Sequence, residues 1–322
     1  MANKRVFYAS QGVAVSQSGV TNPTTVTAAQ SVTMNTNFNL EQVFQLGQLA
    51  VYDNVVGDPS VEVSISKVLD GQPLVYNLAC GSGSLVATSS RASKVEFVVG
   101  KDTEEEIGSA ANTGPGVTTS ITCDPIYLQS LSYNFAVDGD FTEEVTLVGL
   151  SKAVGTGNLT SPESGLGGSS RQSVLRRQNF DQDGSTLPSQ VSGQNIQSIS
   201  ISADLGRESM YKLGRFKEFH RYVNFPLEIS VDIEVIANNL DTTEIDIPDT
   251  SCSGLNLPKE DITIALCDSA GSGTYSFSLG DATLTSVAFG GGDTGGGNAT
   301  LTFSYVVYNT FTPASTLSTH AG

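Results

Sequence analysis

The chain has no tryptophan, two histidines and three methionines, and it sets only 16 Lys and Arg against 33 Asp and Glu. Each scarcity excludes something. With His220 and a tail residue, His320, as the only imidazoles, histidine has almost no scope as general base or metal ligand. The chain therefore reads as a non-enzyme that needs no cofactor. Cys80, Cys123, Cys252 and Cys267 stand far apart without a CxxC pair, which leaves neither a zinc site nor a thioredoxin-type motif. Buried free thiols are expected instead. Charged residues total only 15%, below the roughly 25% of an average globular chain, so the net charge of −17 comes from missing bases rather than abundant acids. Such a surface repels a phosphate backbone. Long apolar runs are missing too: after Lys4 and Arg5 the hydrophobic stretch is broken by Ser10, Gln11 and Gly12, so neither a secretory segment nor a membrane span is read. The product is expected to stay in the cytosol until it is assembled.

What fills the 322 residues is uncharged polar sequence with 33 glycines, a composition that suits β-strands joined by turns. Residues 30–69 can be laid over residues 197–236 with a shift of 167, so that Gln30, Ser31, Glu41, Leu46, Gly47 and Pro59 fall on Gln197, Ser198, Glu208, Leu213, Gly214 and Pro226. A period this long reads as a duplicated domain, since solenoid repeats run at about 20–50 residues. In each copy an alternating strand (Val32, Met34; Ile199, Ile201) is followed by a helix candidate. Asn39 is its N-cap, Val43, Phe44 and Leu46 its apolar stripe, and Gly47 its C-terminus; Met210, Tyr211, Leu213 and Gly214 repeat the pattern. The proline then opens a strand that is apolar on one face only, SVEVSIS or LEISVDIEV, the mark of antiparallel pairing with one side buried. Residues 94–100 correspond to 261–267, and 130–150 to 286–307; the latter pair reads as strand, turn, strand.

The expected fold is therefore mainly β, with two tandem copies of an antiparallel sandwich or barrel unit, each carrying one short helix. An N-terminal arm (1–29) precedes the first unit (30–152), a linker or arm (153–196) leads to the second (197–309), and a tail (310–322) follows. The first unit holds an insertion at 101–119 whose acids Asp102, Glu104, Glu105 and Glu106 form the densest negative run. Asp138, Asp140, Glu143 and Glu144 gather around a glycine turn; a solvated hairpin tip explains them better than a cation site, because the spacing is not that of a calcium loop. GGGDTGGG at 290–297 has no Lys-Ser/Thr behind it and reads as a hairpin loop, not a phosphate cradle. Bases concentrate between Arg171 and Arg221, where eight of them, including Arg171, Arg176, Arg177, Arg207, Arg215 and Arg221, face five acids. That strip suggests docking onto the acidic surface of another copy, an attraction that salt would screen.

VFYASQG at the N-terminus, LEQVFQLGQLAVYDNV, DPSVEVSISKVLDG, YNFAVDGDFTEEVTLVG and SISADLGRESMYKLGRFKEFHRYVNFPLEISVDIEVI together resemble the tail tube proteins of tailed bacteriophages. The likeness touches both copies through diffuse structural motifs rather than a catalytic signature. It implies a virion structural protein whose strands join those of its neighbours into a barrel around a channel. Its rings, of three chains when the unit is duplicated and so of pseudo-sixfold symmetry, stack into a tube. The partners implied are further copies of the chain, a tape-measure protein and other tail proteins; DNA passes without specific binding and no membrane is involved. The implied location is the virion tail, after assembly in the host cytoplasm. The six arginines are then inter-subunit candidates, and the eight acids candidates for an acidic loop or lumen. A capsid decoration protein, or another virion structural protein, shares the acidic β-rich profile. A carbohydrate-binding β-sandwich of an adhesin does so too, but it lacks here the tryptophan on which sugars commonly stack.

Overall fold

The computed structural model describes residues 6, 8–21, 23–100, 118–157, 174–215, 218–237, 259–268, 273–291 and 298–315. The first half runs through β1 (Gln11–Gln17), β2 (Thr24–Thr25), β3 (Ala29–Asn37), β4 (Leu40–Phe44), β5 (Val51–Val56) and β6 (Ser60–Val68). Two short helices follow, α1 (Val75–Cys80) and α2 (Leu85–Thr88), then β7 (Ser93–Gly100), β8 (Thr118–Ala136), β9 (Thr142–Gly149) and β10 (Ala153–Gly157). The second half holds β11 (Phe180–Thr186), β12 (Asn195–Asp204), β13 (Glu208–Met210), β14 (His220–Tyr222), β15 (Glu228–Ile236), β16 (Lys259–Cys267), β17 (Gly273–Gly290), β18 (Thr300–Tyr308) and β19 (Phe311–Ser315). The protein is mainly β, and all its described strand pairs are antiparallel. Among the described residues no helix is long and apolar enough to cross a membrane.

Alternation dictates which way each strand faces. In β6, Val61, Val63 and Ile65 are buried while Glu62 is exposed; in β15, Ile229, Val231, Ile233 and Val235 are buried while Glu228, Ser230 and Asp232 are exposed. A period of two gives one dry face and one wet face. Fifteen strands form one sheet. Its first half is paired in the order β3-β6-β9-β8-β7-β1, and its second in the order β12-β15-β18-β17-β16-β11. The irregularities match as well. Gln30 is skipped between β3 and β6, and Gln197, 167 positions on, between β12 and β15; Gln129 is skipped between β8 and β9, and Thr285, 156 positions on, between β17 and β18. The halves meet where β12 pairs with the C-terminal part of β8, from Ser198 opposite Ala136 to Asp204 opposite Ser130. Eight strands, β3-β6-β9-β8-β12-β15-β18-β17, therefore run side by side without a break.

Behind them lies one apolar core that both halves share. Phe277 of β17 packs on Tyr133 and Phe135 of β8 with ring centroids 4.6 and 5.2 Å apart, and Phe135 meets Phe141 edge-on at 5.3 Å. Aromatic pairs of this kind add about 0.5–1.5 kcal/mol each beyond the area they bury.

The expected helices are corrected. Residues 40–56 form the β4–β5 hairpin with Gly47 at φ +87° in its turn, and β13–β14 forms a second hairpin with Gly214 at φ +83°. Both glycines do hold a backbone that L-residues avoid, but at hairpin tips rather than helix ends. Gly57 is required for another reason: the Gly57 N–H bonds to Asn39 O at 2.8 Å, and a Cβ there would meet that oxygen at 2.5 Å. Among the described residues the α-helices, α1 and α2, both lie between β6 and β7. The segment expected as a linker is also partly woven into the fold. Leu175 is buried between backbone bonds to Leu69 and Phe141, Val191 is buried, and β11 pairs with β16. The arm and the tail contribute β1, which pairs with β7, and β19, which pairs with β17.

Candidate functional site

The wet face of the eight-strand run is built from the exposed positions of the alternation. Serine, threonine and asparagine dominate it: Thr33 and Asn35 on β3, Ser64 and Ser66 on β6, Ser130, Ser132 and Asn134 on β8, Ser200 and Ser202 on β12. Six acids project among them, Glu62, Glu144, Asp204, Glu228, Asp232 and Glu234, and no Lys or Arg. Cross-strand hydrogen bonds tie part of this surface together, with Ser304 Oγ donating to Asp232 at 2.6 Å and Ser198 Oγ to Glu234 at 3.2 Å. Ser64 and Thr146 share a bond of 3.1 Å. Glu144, Asp204 and Glu228 line a shallow depression where the two halves join.

The sequence-derived acids scatter over several environments. Glu144 lies on the wet face. Glu143 points the other way and is fully buried: its carboxylate accepts the N–H groups of Val75 (2.7 Å) and Tyr76 (3.1 Å) and the hydroxyl of Tyr133 (3.1 Å). Burial pushes its carboxyl above the ordinary glutamate range, against the pull of Lys67 and these three donors. Lys67 sits directly across the strand pair, buried, with its ammonium on Asp70 (3.1 Å) and Pro73 O (3.0 Å). Asp140 binds Arg176 at 2.6 Å, and Asp138 is exposed beside it. Four acids close in sequence thus point in different directions, and no cation cage forms from them. Asp102, Glu104, Glu105 and Glu106 lie outside the described residues, as does Arg171.

The other arginines are largely engaged within the chain. Arg221 is buried against Glu218 at 3.1 Å. Arg207 lies over the Tyr127 ring, 5.2 Å from its centroid, and donates to the carbonyls of Leu128 and Ser89; burial lowers its pKa to about 10. Of the five described candidates, Arg177 and Arg215 stand exposed outside the ion pairs named here. Arg207 and Arg176 thus tie the second half and the segment before it to the first half, while Arg221 and Glu218 pair within the β13–β14 region.

The eight-strand run is open at both ends among the described residues. β3 pairs only with β6, and the C-terminal part of β17 pairs only with β18 among the described residues. The dry side is uncovered at both. Phe289 is 54% exposed, whereas Tyr133, its positional counterpart on β8, is fully buried under β12. Val32 and Met34 are half-buried, whereas their counterparts Ile199 and Ile201 are buried. The β4–β5 hairpin is more exposed still, with Leu40 at 64% and Leu46 and Leu49 in full contact with solvent. Four of the six acids were legible in the polar positions of SVEVSIS and LEISVDIEV, and Glu144 and Asp204 in the alternation of TEEVTLVG and SISAD; the open edges needed the pairing order.

No family model matches the chain, and no curated protein matches it.

Proposed function

We propose that the protein is a self-assembling structural protein whose functional surface is the base-free wet face. More particularly, it is the building block of a phage tail tube, a conduit for genome delivery. The observation that carries this reading is the eight-strand face with six acids and no base, bordered on both sides by open strand edges. Pairing of edges between copies satisfies the unpaired backbone groups and covers Phe289, Val32 and Met34, each worth about 1.5–3 kcal/mol when fully buried. Copies joined in this way form a closed wall when the rotation per copy closes. The wet face then lines the channel, where carboxylates repel phosphate and serine and threonine hydroxyls supply weak, uniform contacts. The exposed tips of both hairpins, Leu46, Leu49 and Leu213, suit contacts along a stack of rings.

Negative-stain microscopy of the purified full chain tests this. Stacked rings with an open channel are expected; particles that stay monomeric at every concentration overturn the reading.

A further inference from the structure

The chain already contains one copy of the junction that its open edges lack. Inside it, β12 lies on β8, and the hairpin after β12 carries Glu218 to Arg221 against Asp124, Pro125 and Tyr127 and the end of β9 at Leu150 and Ser151. β3 is the positional counterpart of β12, because each is the outer partner of a strand (β6, β15) with the same skipped glutamine. The C-terminal part of β17 is the counterpart of that part of β8, because each pairs with the next strand (β18, β9) across the same irregularity. Among the described residues, what covers β8 inside the chain is missing from the C-terminal part of β17, and what β12 covers inside the chain is missing from β3. The free edge of β3 and the free edge of β17 therefore occupy the positions that β12 and β8 hold in the internal junction.

From this geometry we infer that a second copy of the chain supplies the missing partner, in one direction and one register. β3 of one copy adds antiparallel to β17 of the next, with Met34 opposite Phe289, Asn35 opposite Ala288 and Thr36 opposite Val287, repeating Ile201–Tyr133, Ser202–Ser132 and Ala203–Leu131. The register is fixed because a slip of one residue would turn Met34 onto the wet face. The same placement brings Leu40 of the β4–β5 hairpin to Thr283 of the neighbour, as Arg207 is brought to Tyr127 within the chain. The contact is head-to-tail, with different surfaces on the two sides, so each copy keeps one open strand and one open edge until a ring closes. This inference rests on the self-association proposed above but not on the tube.

Disulfide trapping tests it, because residues directly opposite across a strand pair lie within bridging reach and those two positions away do not. Asn35→Cys and Ala288→Cys are made singly, at exposed positions, in the full chain. Oxidised alone, neither is expected to form dimers beyond the unmodified protein; mixed, they are expected to give a covalent dimer. Asn35→Cys mixed with Ser286→Cys is expected to cross-link at least about tenfold less. Microscopy of the unmodified protein separates the failures. Rings without the Asn35–Ala288 cross-link, or with dimers of a single variant, overturn the register and leave the proposed function standing. A protein that remains monomeric overturns both.

Discussion

The most instructive residue is Glu143, which adjoins Glu144 in sequence and has the opposite role. In TEEVTLVG the phase of alternation puts Glu143 with Val145 and Leu147 on the dry side and Glu144 on the wet side, so the distinction was legible once the phase was followed. What the sequence did not disclose is why a carboxylate is tolerated there. The second half holds Val235 opposite Leu301 at the positions of Lys67 and Glu143, and the polar pair occurs only where α1 needs acceptors for its first N–H groups. Glu143→Gln turns an amide N–H toward these donors, and the loss of a buried hydrogen bond costs about 1–3 kcal/mol. The pH dependence has a definite sign. Because burial raises the Glu143 pKa above 4.5, the folded protein holds this proton more tightly than the unfolded chain, and that stabilising contribution is lost as pH rises through the raised value. Thermal melts from about pH 4 to about pH 8 should therefore show the gap between the wild type and Glu143→Gln narrowing toward neutral pH. A gap that widens instead would show a carboxylate stabilised by its neighbours.

Among the elements, the paired hairpins show where sequence reading stops. Apolar residues in LEQVFQLGQLAVYDN recur at spacings of three and four, which fit a helical stripe, and Gly47 suited its end. The chain instead folds back at that glycine, and the apolar residues occupy both faces of a two-stranded ribbon with every position exposed. Such a ribbon is marginal by itself and gains stability from a surface that covers it. Under the proposed self-association this ribbon is buried only by another copy, and within one chain such a pattern looks like a failed amphipathic helix. Leu40 is the sensitive position: at 64% exposure its replacement should change the stability of the isolated chain by no more than about 0.5 kcal/mol. In the assembly proposed above it is covered, and there Leu40→Asp should forfeit roughly 1.5–3 kcal/mol per contact, about a tenfold to hundredfold loss of association. Sedimentation velocity over a concentration series, alongside a thermal melt, checks the separation. Equal effects on melting and association would place Leu40 in the monomer's own fold.

For the whole molecule, the charges behind the net −17 take at least three distinct settings among the described residues. Part of the basic strip is spent inside the chain at Asp140, Glu218 and the carbonyls around Tyr127, part of the acid lies on the wet face, and Glu143 and Lys67 are buried together. The segregation of charge could be read from the sequence; its use could not, because Arg176 and Asp140 are far apart along the chain and meet only through the fold. Bases engaged within the chain are not free to dock on another copy, and the assembly proposed above rests instead on backbone pairing with apolar cover. In that arrangement the wet face is left free of the neighbouring copy. If it serves as a DNA conduit, its function is to avoid binding, and binding should appear when the sign is reversed. Glu144→Lys, Asp204→Lys and Glu228→Lys together replace the acids of the depression between the halves with bases. The assembled wild type should leave short duplex DNA unretarded at about 50 mM salt, while the triple variant should retain it and release it steeply toward about 200 mM, as counterion release requires. Wild-type assemblies that hold DNA as firmly as the variant would remove the conduit from the account, because a wall that grips phosphate cannot pass a genome.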